Sequence, residues 1–300
     1  MEHNIVVIGS NAGKVVSKFG KKSSDSDITM YSQIEGETII NACASSTYPE
    51  KIPAMLQLME FCDFVVFAVG SNIDYSFGEL LFMADFFKKP GVFFIEEDFI
   101  GEQVKQYAKG SFSENYKIIK TDEELKKAVL SNQIKIDEKQ IVEVDTFFNV
   151  KNVGLVILGF LKSGKVKRYQ KTFLYPEKKE ILIKSIQVHD KDWEEILAVS
   201  RVGFAIKGIE YEELERGQVI SNEEFSVKKE FNFEFKKNPF FKEDEKKNAR
   251  ILVGSIIRNA EFRDNKIILD KPIIDYKNEF ILFRTDLQKQ LRISGTGRIL

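Results

Sequence analysis

"GLVILGFLKSGKVKRYQKTFLYPEKKEILIKSIQVH", residues 154 to 189, is the stretch on which the fold turns. Its apolar runs are short, rich in Val, Ile, Leu and Phe, and are broken by Ser-Gly, Tyr-Pro and charged turns. Strands of this length and spacing predict a small β-barrel or sandwich. Gly164, following Ser163, is expected to turn a hairpin between GFLK and KVKRY. The same texture continues in RVGFAIKGI (201–209). It is interrupted by a charged segment around FKEDEKKNAR (241–250) and resumes at ILVGSIIR (251–258), NKIILDKPII (265–274) and EFILFR (279–284).

Upstream the pattern differs. NIVVIG (4–9), ETIINACA (37–44), DFVVFAVG (63–70) and VFFIEED (92–98) read as strands, and EKIPAMLQLMEFC (50–62) and residues 76–87 as helices. TDEELKKAVL (121–130) carries a capping box, with Thr121 as N-cap and Glu124 three residues on. Strands alternating with helices predict an open, largely parallel sheet. SNQIKIDEKQ (131–140) is polar and reads as a linker. The expected division is therefore an α/β domain at 1–133, a β domain at 140–224 and a second at 225–300.

Composition narrows the function. The 300 residues are 43% hydrophobic and 12% aromatic, enough for real cores. Lys and Arg (45) nearly balance Asp and Glu (46), so a net charge of −1 gives no global attraction to nucleic acid or membrane. Any basic face must be local. Cys43 and Cys62 have neither metal spacing nor nearby His ligands and are expected to be buried, reduced thiols of a cytoplasmic protein. The opening residues lack the basic flank and cleavage site of a secretory signal, and no apolar stretch is long enough to span a bilayer. With only His3 and His189, a histidine-rich metal site is excluded.

"IVVIGSNAGKVVSKFGKK" (5–22) outlines a phosphate loop, a strand ending in Gly9 with Gly13-Lys14 four residues on. In such a loop backbone N–H groups wrap the phosphates and a Lys reaches them. The full form has four residues between its glycines and a Ser or Thr after the Lys. Here Ser10, Asn11 and Ala12 make one too few, and Val15 stands where a magnesium-binding hydroxyl belongs.

Residues 144–221 strongly resemble domain two of translational GTPases of the EF-Tu class, with a flavour nearest the selenocysteine-specific factor SelB. The resemblance rests on Gly154, Gly159, Ser163-Gly164, Pro176, Ser185-Ile186-Gln187, Arg201-Val202-Gly203, Lys207-Gly208 and Glu215-Arg216-Gly217. Most of these are expected to be fold-formers at turns and bends. Residues 265–300 resemble domain three of SelB and of the archaeal initiation factor two gamma subunit, through Lys271-Pro272, Arg284, Leu291-Arg292-Ile293, Gly295 and Gly297. The implied fold is an N-terminal P-loop GTPase-like α/β domain followed by two EF-Tu-type β-barrels.

That resemblance also implies nucleotide motifs, and they are eroded. The second-switch equivalent, ASSTYPEK (44–51), has no Asp, Gly or His. Glu96-Glu97-Asp98-Phe99 stands where Asn-Lys-x-Asp would read guanine, and KKSSDSDITMY (21–31) offers only Thr29 to a first switch. Gly9, Gly13, Lys14 and Asp98 are the nucleotide-binding remnants. The expectation is a pseudo-GTPase, similar to archaeal SelB-like paralogs with a degraded G domain. No catalytic residue, metal or cofactor is expected, and GTP with Mg²⁺ would be held only weakly.

In relatives the barrels grip the acceptor end of tRNA and dock on the ribosome. Lys162, Lys165, Lys167 and Arg168 with Tyr169 are the candidate RNA-binding residues, since bases stack on aromatics and phosphates pair with cations. The same hairpin reads equally well as a solvated face. A tRNA or ribosome partner is therefore expected, with a residual GTP-binding switch or a protein–protein adaptor as alternatives. His189, Asp190, Lys191 and Asp192 read as an exposed polar loop.

Overall fold

The computed structural model describes residues 2–71, 73–96, 100–134 and 136–300. Its first part contains β1 (Glu2–Ile8), α1 (Ala12–Val16), β2 (Lys21–Asp25), β3 (Ile28–Glu35), β4 (Thr38–Ser45), α2 (Pro53–Phe61) and β5 (Phe64–Val69). There follow α3 (Tyr75–Phe87), β6 (Gly91–Ile95), α4 (Gly101–Ala108), β7 (Lys117–Ile119) and α5 (Asp122–Leu130). The strands lie in the order β2-β3-β4-β1-β5-β6-β7. From β4 to β7 the pairing is parallel, as the alternating pattern implies. The continuous apolar runs of β1 and β5 are buried along their whole length, as parallel strands covered on both faces must be.

KKSSDSDITMY, which offered only Thr29 to a first switch, forms the antiparallel hairpin β2–β3. The signal was faint because only Ile28 and Met30 are fully buried, while β2 is an exposed edge strand carrying lysines that discourage further pairing. The capping box of α5 is present, with Glu124 N–H donating to Thr121 Oγ1 at 3.2 Å and Thr121 N–H to Glu124 Oε2 at 3.1 Å.

The middle of the chain provides β8 (Ile141–Val150), β9 (Gly154–Ser163), β10 (Lys165–Lys167), β11 (Lys171–Tyr175), β12 (Lys179–Val188), β13 (Lys191–Trp193), β14 (Glu195–Leu197), β15 (Ser200–Lys207) and β16 (Val219–Ser221). Six of them close a barrel, β11-β16-β8-β9-β15-β12, through the β11–β12 pairing. Val142, Val144, Ile157, Leu174, Ile183 and Phe204 fill it. β10 pairs with β14 in a separate ribbon, not with β9. Gly164 is therefore no hairpin tip; it is where the chain leaves the barrel wall. Its φ of 71° and a backbone 2.8 Å from where its Cβ would lie, at Gln140, exclude other residues. HDKDW forms a tight hairpin rather than an open loop: His189 and Asp190, both at positive φ, turn β12 back onto β13.

β17 (Val227–Lys237), β18 (Ala249–Val253), β19 (Ile256–Arg263), β20 (Lys266–Ile274), β21 (Glu279–Arg284) and β22 (Ile293–Ile299) close a second barrel in the order β17-β20-β19-β18-β21-β22. ILVGSIIR, read as one strand, is two strands around a turn at Gly254. The chain divides into two compact units, one of residues 1–133, 235–250 and 281–297, the other of 134–234, 251–280 and 298–300.

In the second unit the Glu215-Arg216-Gly217 motif proves structural. Glu215 accepts from Arg258 at 3.0 Å and also pairs with Lys271, while Arg216 donates to the Asp145 carbonyl at 2.7 Å. A Cβ on Gly217, at φ 92°, would lie 2.1 Å from the Ser255 carbonyl oxygen. Gly217→Ala is expected to destabilise the fold by about 2 kcal/mol or more, since positive φ and overlap with backbone add. Urea unfolding would register this as a lowered midpoint at unchanged slope.

Candidate functional site

The C-terminal ends of β1, β5 and β6 are where a ligand would lie in an open parallel sheet. β1 ends at Gly9, whose φ is 104° and whose Cβ position is 2.3 Å from the Ala68 carbonyl oxygen. Only glycine lets the loop pass β5 this closely. Asn11 N–H donates to Ala68 O at 3.2 Å, Ala12 N–H to Gly9 O at 3.1 Å, and Ser10 Oγ accepts from Gly70 N–H at 2.9 Å. The N–H groups of Asn11 and Ala12 are thus directed to the protein itself. Gly13 has open space above it, so packing does not require it.

Lys14 forms an ion pair with Glu96, at the end of β6. Lys18 reaches the same carboxylate at 3.3 Å and Asp122 at 2.7 Å. The hydrogen bond from Lys14 holds the Glu96 carboxyl below its usual range, with Lys18 adding to the effect. The bond to Asp122, aided by Glu96, raises Lys18. Because Glu96 titrates lower in the folded state, its contribution is complete above about pH 4.3 and is lost as pH falls through the depressed value. Val15, next in sequence, is 1% exposed and packs in the sheet's core with Ile5, Val7 and Phe64. It faces away from any ligand. Asp98, the fourth remnant, lies outside the described residues.

The stretch equivalent to the second switch ends in a buried polar cluster that local sequence did not announce. Glu79 on α3 is fully buried, and Arg292 is 2% exposed. Arg292 donates to Glu79 through its backbone N–H at 2.7 Å, Nη2 at 2.5 Å and Nε at 3.3 Å, and its Nη1 to the Pro49 carbonyl at 2.6 Å. The Tyr48 hydroxyl is 3.1 Å from Glu79 Oε2, and its ring lies 5.4 Å from the guanidinium. Burial, with the Glu79 carboxylate, pushes the Tyr48 hydroxyl well up, keeping it a donor. The one available signal was Glu79 itself, a lone charge inside the apolar run YSFGELLFMA (75–84).

The candidate RNA-binding residues cluster, but several are already paired. Lys167 bonds Glu195 at 3.1 Å and Arg168 bonds Glu194 at 2.7 Å. Lys165 is exposed at the start of β10 and Lys162 is half-buried on β9. Tyr169 is 63% exposed at φ 62°, with the Arg168 guanidinium 4.8 Å from its ring centre. Trp193 (45% exposed) and Leu197 (61%) lie on β13 and β14, and Leu197 is opposite Lys165 in the ribbon. Reading HDKDW as a loop hid Trp193.

Among the described residues no group of three His, Cys, Asp or Glu side chains is placed to hold a metal ion. None of their helices is long and apolar enough to cross a membrane.

Arg292→Met would strand the Glu79 carboxylate without its partner and is expected to destabilise the protein by about 3–5 kcal/mol. Pairing it with Glu79→Met should recover most of that loss, as chemical denaturation of the three variants would show.

No family model matches the chain. An uncharacterized protein of Methanocaldococcus jannaschii is 29% identical over 311 residues, covering both chains completely. The selenocysteine-specific elongation factor of the same organism is 35% identical over 107 residues, which are 35% of this chain and 23% of that factor. Among solved structures, elongation factor SelB of Methanococcus maripaludis with the GTP analogue GPPNHP superposes with a TM-score of 0.80 at 19% identity. The match covers all of this chain and 79% of that one. The chain is thus similar to the SelB translation elongation factors, in fold along its whole length and in sequence through about a third of it.

Proposed function

We propose that the chain is a non-hydrolysing, translation-factor-like protein of the cytoplasm, with a degenerate G domain, that associates with tRNA or the ribosome through its middle barrel. The observation that carries the first half is the ion pair of Lys14 with Glu96. Phosphoryl transfer relies on Lys, Mg²⁺ and an oriented water to neutralise and position the phosphates. Here the Lys has an internal carboxylate, the metal-ligand position is a core valine, and the second-switch stretch is tied to a buried Arg–Glu pair. Titration calorimetry with GTP, GDP and ATP is expected to give no binding tighter than millimolar. Micromolar affinity for GTP would replace this reading by a residual nucleotide switch.

The RNA half is supported by Tyr169 and by the relatives' role as elongation factors. A bulky side chain in the left-handed region is strained, and such strain concentrates at functional sites. A half-stacked, solvent-facing tyrosine beside Arg168 suits an unpaired base, at about 1–3 kcal/mol per stacked base. Tyr169→Gly relieves the backbone and removes the ring. It is expected to leave the melting temperature unchanged or raised while tRNA affinity at low salt falls about tenfold. Binding by the wild type that is absent at low salt, or unaltered in Tyr169→Gly and in Lys165→Glu, would remove the RNA assignment.

A further inference from the structure

Along α3, Tyr75, Gly78, Phe82 and Asp85 recur at helical spacing and face a groove of about 650 Å³. Asp74, the N-cap of the helix, lines the same groove. Its other wall includes Tyr107, Phe240 and Leu291. All these residues belong to the first unit. The volume is within the range of about 300–1,000 Å³ usual for binding pockets. Phe240 is nevertheless 72% exposed and Tyr107 58% exposed, so the walls are open to water. A site for a small molecule buries most of its ligand; an open groove with aromatic lips suits a polypeptide segment.

The charges fix which segment. Asp74 and Asp85 are both exposed and stand at opposite ends of the stripe, with Gly78 and Phe82 between them. At 1.5 Å per residue they are about 16 Å apart along the helix, about three turns. Lys109 is the one cation among the lining residues, so the groove's own balance is negative and disfavours nucleic acid. In the middle, a Cβ built on Gly78 would meet nothing within 4 Å. The helix therefore has a dent where a partner's side chain can sit.

We propose that this groove docks an amphipathic helical segment of a partner protein, about three turns long, with an apolar face and Lys or Arg near both ends. The proposal is independent of the RNA and nucleotide assignments. Two fluorescently labelled synthetic helices test it, sharing a Leu/Phe face and differing only in Lys or Glu at their ends. The Lys-ended peptide is expected to bind the full chain saturably and at least about tenfold tighter than the Glu-ended one, with the difference shrinking at high salt. Gly78→Leu fills the dent at an exposed position and improves helix propensity, so it should raise the melting temperature while weakening the Lys-ended peptide about tenfold or more. Phe240→Ser, at a largely exposed site, should weaken it without loss of fold. Equal binding of the two peptides, no saturable binding of either, or undiminished binding by both variants overturns the proposal.

Discussion

A carboxylate and a guanidinium removed from water survive only if nearly every one of their polar atoms finds a partner, and Glu79 with Arg292 meets that demand. Three donors of Arg292 and the Tyr48 hydroxyl converge on one carboxylate, while the remaining guanidinium arm takes the Pro49 carbonyl. The cluster joins three segments widely separated in the chain: the turn after β4, the middle of α3 and the start of β22. Each is fixed by the others, because moving any one leaves a charge buried without compensation. A turn held this way is poorly suited to rearranging when a ligand arrives.

The two ends of chemical interest share a second trait. Lys14 and Lys18 are matched by Glu96 and Asp122, and Lys167 and Arg168 by Glu195 and Glu194. A chain with nearly equal numbers of acids and bases has placed them in contact where a bare cationic surface would otherwise stand. What distinguishes this part of the middle barrel is then its exposed aromatic side chains. Tyr169 and Trp193 remain in solvent there, whereas at the sheet's ligand-facing end Val15 is internal.

Much of the architecture was legible in the sequence because its signals are local. Continuous apolar runs marked β1 and β5, and Thr121 with Glu124 marked the start of α5. Signals that depend on distant partners were not legible. β2 is polar throughout and is a strand only because β3 is beside it. Gly164 carries the residue type of a hairpin turn, yet its neighbour is the backbone of residues 138–140 rather than the next strand. Among the candidate site residues, Lys14 lies on α1, just after β1, and its partner is 82 positions away. Glu79 and Arg292 are 213 positions apart, and no periodicity relates them.

The burial of Val15 limits what position 15 can become. A hydroxyl introduced there by Val15→Thr would lie among Ile5, Val7 and Phe64, where it would meet hydrocarbon instead of an ion, at about 1–3 kcal/mol. The short helix would have to rotate about its axis before such a hydroxyl could face solvent. Rotation in turn would expose Val16 and break the Lys14–Glu96 contact. The packing of α1 therefore opposes any single substitution that would set an ion-binding hydroxyl at position 15.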